Sequence, residues 1–185
     1  IGSLKTAIIT INQMEILISL ITINIINNNK VAIITGNIGC GKITQVSQII
    51  YQYNKAHKIP TKILITQPRC MGVLNMAERL CEEMQKKKVD LVGYHYALSE
   101  VYYSEKTDYL IETRGIFLEE LIHNGEHMDK YTYIILDEVH ERDLNIDLVL
   151  LLVKLLIKRN PKVKLILMSA VVSSKEYSNY LMNHQ

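Results

Sequence analysis

The sequence is short of cysteine, of long apolar runs, of net charge and of repeats, and each shortage removes a class of protein. Its three cysteines, Cys40, Cys70 and Cys81, are odd in number and lack the paired spacing of a metal site. They suit a reducing compartment and exclude a disulfide framework. The apolar stretches Ala7–Ile11 and Ile16–Ile26 are interrupted by Asn12, Gln13 and Glu15. The roughly eighteen consecutive apolar residues of a membrane-spanning helix are therefore never reached, and no membrane partner is expected. A basic start followed by a small-residue cleavage site is also missing, so no signal peptide is read. A buried amphipathic helix over about 12–25 is expected instead. The formal net charge of +2 permits nucleic-acid binding without arguing for it. Lys86, Lys87 and Lys88 form a short basic run that reads as a solvated helix end. His123 and His127 stand four apart, but no cysteine or acidic partner completes a metal site there, and Gly125 between them favours a turn.

What is present is an alternation. The 185 residues are 48% hydrophobic and 22% charged, the composition of one soluble globular domain with a sizeable core. After the leading helix come a strand at Lys30–Thr35, a glycine-rich loop, a helix at Lys42–Tyr53 and a strand at Lys62–Thr66. Helical spacing of Met71, Leu74, Ala77, Leu80 and Cys81 predicts a long helix over Cys70–Lys87. Short strands follow at Asp90–Tyr94 and Asp108–Glu112, then a helix at Arg114–His123 and the buried strand "YTYIILDE". Leu144–Arg159 reads as a helix, "KLILMSA" as a strand and Ser173–Asn183 as a last helix. Short apolar strands separated by helices predict an α/β domain with a mostly parallel central sheet covered on both faces. Ligands of such sheets sit at the carboxyl ends of the strands.

Two stretches carry chemistry. In "AIITGNIGCGKITQ", Gly36, Gly39 and Gly41 allow a tight loop whose amides point at anionic oxygens, ahead of the positive end of the next helix. Lys42 adds a point charge for the outer phosphates. In "LDEVHER", a carboxylate pair closes a buried strand. Asp137 is placed to hold magnesium, mostly through water, and Glu138 to orient or deprotonate the attacking water. His140 and Arg142 are placed to link this site to neighbouring segments.

Together with "TQPR" (Thr66–Arg69), "TRG" (Thr113–Gly115) and "SAV" (Ser169–Val171), in this order and spacing, the chain resembles the first RecA-like domain of a DEAH-box RNA helicase over nearly its whole length. Within that family the Cys40 loop and "YTYIILDEVHERD" resemble the spindle-E branch, whose members carry a Tudor domain and act in germline small-RNA (piRNA) silencing. The resemblance implies a RecA-like P-loop fold over residues 1–185, ATP and Mg2+ as cofactors, and single-stranded RNA or RNP as substrate. It also implies a second RecA-like domain outside this stretch, and protein partners in a silencing complex. The implied location is cytoplasmic, in perinuclear RNA granules for that branch, with the nucleus left open. By the same resemblance Gly36, Asn37, Ile38, Gly39, Cys40, Gly41, Lys42, Ile43 and Thr44 surround the phosphates, and Arg79 stacks on the adenine. Asp137, Glu138, Lys42 and His140 form the catalytic set. Arg69, Thr113 and Gly115 hold the RNA backbone without reading sequence, and Ser169, Ala170 and Val171 couple nucleotide state to RNA.

Several positions depart from the family pattern. Ile43 replaces the hydroxyl residue that ligates magnesium, and isoleucine offers no oxygen. Thr44 does not substitute, because one residue along a helix turns the side chain by about 100°. Ile38 and Val171 each replace a threonine, Cys70 an arginine and Ser47 a proline. Two readings follow: an ATP-dependent helicase domain, and a pseudo-helicase scaffold that keeps the fold and its contacts but is impaired in hydrolysis. An unrelated P-loop ATPase is disfavoured by "TQPR", "TRG" and "SAV".

Overall fold

The structure is a computed structural model that describes residues 6–11, 16–36, 42–85, 91–97, 99, 102–141 and 143–169. Its strands are β1 (Thr6–Ile11), β2 (Val31–Gly36), β3 (Ile63–Gln67), β4 (Val92–His95), β5 (Tyr109–Thr113), β6 (Tyr133–Leu136) and β7 (Lys164–Ser169). The helices are α1 (Ile16–Asn28), α2 (Lys42–Ala56), α3 (Cys70–Glu83), α4 (Arg114–His123) and α5 (Leu144–Arg159), with a 3-10 turn at Gly125–Lys130.

The strands form one parallel sheet in the order β1-β2-β7-β6-β3-β5-β4. The sequences VAIITG, ILITQ, YLIET and YIIL are buried at every position. That is the signature of strands covered on both faces, where apolar residues replace the in–out alternation of half-solvated sheets. Alternation then decides which core each side chain joins. Ile34, Ile63, Ile65, Ile111, Ile135 and Ile166 meet Ile26 of α1, Val46 and Ile50 of α2, and Val73, Met76 and Leu80 of α3. Their neighbours Ile33, Leu64, Leu110, Ile134, Leu165 and Leu167 meet Phe117 and Leu121 of α4 and Ile146, Val149 and Val153 of α5. The sheet thus has helices on both faces, as its apolar pattern predicts.

Three features differ from the sequence reading. Thr6–Ile11 is a strand, paired in parallel with β2 from Thr6↔Val31 to Ile11↔Gly36; its Ile/Thr content favours an extended chain once β2 supplies a partner. The leading helix is displaced downstream to Ile16–Asn28. It runs into the asparagines because Asn29 Nδ2 donates to Ile25 O at 2.8 Å and Asn28 Nδ2 to Asn24 Oδ1 at 2.7 Å, each one turn back. In α3 the buried face is Val73, Met76, Ala77, Leu80 and Cys81, whereas Met71 is 63% exposed. The helical period holds, and the phase differs at the first turn. The Lys86–Lys88 run and the expected helix at Ser173–Asn183 lie outside the described residues.

Gly93 marks a close approach at the sheet edge. A Cβ there would lie 2.4 Å from Tyr103 Cβ and 2.7 Å from Tyr102 O, and the strand makes an antiparallel bridge from Tyr94 to Tyr102. No helix among the described residues is long and apolar enough to cross a membrane.

Candidate functional site

A parallel sheet brings all its strand ends to one edge, and here that edge collects the polar residues of every motif. Thr35, beside the glycine loop, is in register with Ser169 at the end of β7. Leu136, before the carboxylate pair, is in register with Leu167 of β7 and Thr66 of β3. Gln67 of β3 is in register with Thr113 of β5. Gly36, Ser169, Asp137, Gln67 and Thr113 therefore line one crest, although they are far apart in sequence.

The glycine loop itself, Asn37 to Gly41, lies outside the described residues, as do Arg142, Ala170 and Val171. Its two flanks are in place. β2 ends at the buried Gly36, and α2 starts at Lys42, so the helix's free amides open toward the crest. Ile43 is partly buried and packs against the core cluster that holds Ile34, Val46 and Ile50. Its side chain therefore has an apolar environment. Thr44 is 3% exposed, and Ser47 Oγ donates to its carbonyl at 3.0 Å. Ser47, where the family pattern has proline, is itself fully buried, and its carbonyl accepts from Tyr109 Oη at 3.0 Å.

The carboxylate pair is held from two sides. Gln67 Nε2 donates to Asp137 Oδ2 at 2.8 Å, and Asp137 N donates to Thr66 O at 3.3 Å. Gly72 makes room for this amide, since a Cβ on it would lie 2.9 Å from Gln67 Oε1. Below the pair, Arg114 is 1% exposed and spreads its guanidinium under the loop after β6. Nη2 donates to Asp137 O at 2.8 Å and Glu138 O at 2.7 Å; Nη1 donates to Glu141 O at 3.0 Å and Asp143 Oδ2 at 2.8 Å. Asp143 in turn caps α5, its Oδ1 accepting from Ile146 N at 2.7 Å. This clamp holds Glu138 at φ 49°, a left-handed conformation that side-chain-bearing residues adopt at a cost of about 1–3 kcal/mol.

The result is a bent turn that leaves Glu138 with a buried Oε2 lacking a hydrogen bond. His140 Nδ1 lies 3.2 Å away, an ion pair when the imidazole is protonated. A desolvated carboxylate oxygen beside a fixed aspartate, at the crest where a helix N-terminus opens, fits a hydrated cation and a reacting water. The two carboxylates could hold a magnesium ion beside the α2 helix start and the buried Ser169, whereas Ile43 offers such an ion no oxygen.

The remaining expected residues are spread along the same edge. Arg69 is the N-cap residue of α3, with a side chain 78% exposed and 3.7 Å from Glu141. Thr113 is the N-cap residue of α4 and is buried, while the Cβ position of Gly115 faces open space. Arg79 is half exposed and donates through Nε to Glu83 Oε1 at 2.6 Å; Gln48 of α2 donates to the other oxygen of Glu83. Sequence reasoning missed Gln67, Gly72 and Arg114. The first and last lie inside quoted motifs, but their partners are a side chain and carbonyls reached only through the fold.

Residues 17–179 match the DEAD/DEAH box helicase family. Relatives include "Probable ATP-dependent RNA helicase spindle-E" of Culex quinquefasciatus, 40% identical over 156 residues, which are 84% of this chain and 11% of that protein. The protein of the same name from Drosophila melanogaster is 40% identical over 158 residues, 84% of this chain and 11% of its own length. "ATP-dependent RNA helicase TDRD9" of Danio rerio is 35% identical over 173 residues, 93% of this chain and 12% of that protein. The chain thus spans about a tenth of the length of the curated relatives it matches. Its all-parallel sheet with helices on both faces is the RecA-like α/β arrangement, and the chain belongs to the DEAD/DEAH box helicase family.

Proposed function

We propose that this chain is the ATP-binding, first RecA-like domain of an ATP-dependent RNA helicase of the DEAH type. The observation that carries the proposal is the convergence at one sheet edge of the Lys42 helix start, buried Ser169, and an Asp137–Glu138 pair fixed by Gln67 and Arg114. In this reading Gly36 to Thr44 surround the phosphates, Lys42 neutralises the outer ones, and Asp137 holds magnesium through water. Magnesium, when bound, offsets charge on the transferred phosphoryl oxygens. Glu138 orients the attacking water and accepts its proton, and His140, beside it, passes the state of that carboxylate to neighbouring segments. Arg79 sits beside the base, with Glu83 as its resting partner. Arg69, Thr113 and Gly115 line the RNA backbone, Arg69 being the most open of the three, and Ser169, Ala170 and Val171 couple the two ligands. Strand separation needs a second RecA-like domain, so residues 1–185 alone are expected to separate no duplex. The similarity to spindle-E proteins supports a role in germline piRNA silencing, with partners in an RNA-silencing complex and a location in cytoplasmic, perinuclear granules.

A second reading, a scaffold impaired in hydrolysis, is favoured by one observation: Ile43 is packed against the core where the family has a magnesium-ligating hydroxyl. Calorimetry of ATP binding with and without magnesium tests both. The expected result is micromolar-class binding that Lys42→Ala weakens at least tenfold, with little gain from magnesium until Ile43→Thr is introduced. No binding, or binding indifferent to Lys42→Ala, would overturn the proposal. Glu138→Gln separates the readings: an enzyme loses its turnover, while a scaffold has none to lose.

A further inference from the structure

A second set of polar side chains is built into the far side of the sheet, and the nucleotide reading does not use it. Glu112 is on β5, in register with His95 of the edge strand β4. Alternation turns it to the same face as Leu110, under α4. It is 0% exposed, and neither Oε1 nor Oε2 has a hydrogen-bond partner. His95 Nδ1 is also buried and unpartnered, 3.9 Å from Glu112 Oε1, too far for a hydrogen bond. Glu120 of α4 completes the group, and one ligand atom from each of the three residues lies within 4.8 Å of the others.

A buried carboxylate without donors is costly, and a second carboxylate beside it makes matters worse. Burial, partly opposed by His95 and reinforced by Glu120, pushes the Glu112 carboxyl up to about 7. The other titratable groups around the cluster do not relieve it. Glu119 adds negative charge toward His95, and Tyr103 and Tyr131 are both raised by their own burial and then by the glutamates. Lys130 is engaged over the rings of Tyr103 and Tyr131, at 5.8 and 5.0 Å. Among the described residues, Glu112 has no arginine or lysine within ion-pair distance.

We propose that His95, Glu112 and Glu120 bind a divalent transition-metal ion of the zinc class. One imidazole nitrogen and two carboxylate oxygens are a donor set for zinc, with water as the fourth ligand. Bond lengths of about 2.0–2.2 Å to a tetrahedral ion put ligand atoms roughly 3.3 Å apart. The partly exposed His95 and Glu120 close that gap by turning onto the fixed Glu112. The ion ties the four-residue edge strand β4 to β5 and α4, two residues before the helix start that presents Arg114 to the Asp137 loop. Its role is structural, and it stands independently of the nucleotide reading.

The test is zinc chloride titrated into the full chain, followed by calorimetry and thermal unfolding, with magnesium chloride as a control. The expected result is one equivalent of zinc bound, and a melting temperature raised by about 5–10 °C when zinc exceeds its Kd about a hundredfold. Glu112→Gln abolishes the shift, and His95→Gln weakens binding at least tenfold. Cobalt substitution should give a d–d spectrum that both variants lose. Because Glu112→Gln removes a buried charge, that variant folds, and circular dichroism confirms it before titration. Zinc binding that both variants leave unchanged assigns the ion to other residues and overturns the proposal. No zinc binding, with stability set by pH alone, means the glutamates only share a proton and overturns it equally.

Discussion

Arg114→Met removes the clamp under the Asp137–Glu138 turn while nearly conserving volume. The wild-type guanidinium, 1% exposed, makes four hydrogen bonds, three to main-chain carbonyls and one to Asp143. A hydrogen bond to a charged group contributes about 1.5–3 kcal/mol, but four made by one group do not add. The Asp143 side chain is 45% exposed, so its ion pair is screened and contributes little by itself. The loss is then dominated by the stranded carbonyls of Asp137 and Glu138, about 3 kcal/mol in all. At about 2–4 °C per kcal/mol for a domain of this size, the melting temperature falls by roughly 6–12 °C. Arg114→Lys keeps the charge without the planar fork, and half of that fall is expected. Urea unfolding gives the global figure, and hydrogen exchange at residues 137–141 gives the local one, which should rise more than exchange in α5. Arg114→Met unfolding within about 0.5 kcal/mol of wild type, with unchanged exchange in that turn, would refute the clamp.

Gly72→Ala improves helix propensity in α3 by about 0.5–1 kcal/mol yet crowds Gln67 Oε1. Thermal unfolding should show equal or higher stability while, in the Ile43→Thr background, magnesium-dependent nucleotide affinity falls severalfold; affinity equal to that of Ile43→Thr alone would show that Gln67 does not set Asp137. Asp143→Ala removes the cap of α5 and one clamp contact, for about 1–2 kcal/mol by denaturant titration. In metal-free protein, Glu112 holds its proton to about pH 7 when folded, against an ordinary value of 4.5. The unfolded chain therefore releases that proton first, and stability falls as pH rises between these values and levels off above. His95, also raised, acts in the same direction. The fall should be smaller in Glu112→Gln; an identical pH profile would remove Glu112 from the account.

Much of the sheet was legible because its inner strands are buried on both faces. Continuous apolar runs such as ILI and YIIL can hardly be anything but strands when they are so short and flanked by turns. β1 was not legible for a related reason: TAIITI stands next to another apolar stretch, and only β2 distinguishes the two. The site was legible to the extent that its chemistry sits on the side chain. Lys42, Asp137 and Glu138 announce themselves by type and order. Arg114 does not, because three of its four acceptors are main-chain carbonyls that no residue type encodes. Glu112 reads in sequence as an ordinary polar strand end; only the pairing with β4 and the cover of α4 turn it into a desolvated charge.

The strand order also fixes when the crest can exist. β7 is the last described strand in the chain, yet it lies between β2 and β6. As the chain leaves the ribosome, β1–β2 and the β6–β3–β5–β4 group are two separate ribbons, each with an open parallel edge. No strand pairing joins the Gly36 end of β2 to the Asp137 end of β6 until the KLILMS segment slides between them and sets both registers. Such a late, non-local closure is slow and leaves apolar edges bare in the meantime. A nucleotide is therefore of no help to the nascent chain and can stabilise only the finished sheet. Substitutions in β7 should show their effect as lost yield during synthesis rather than as weakened binding in the protein that survives.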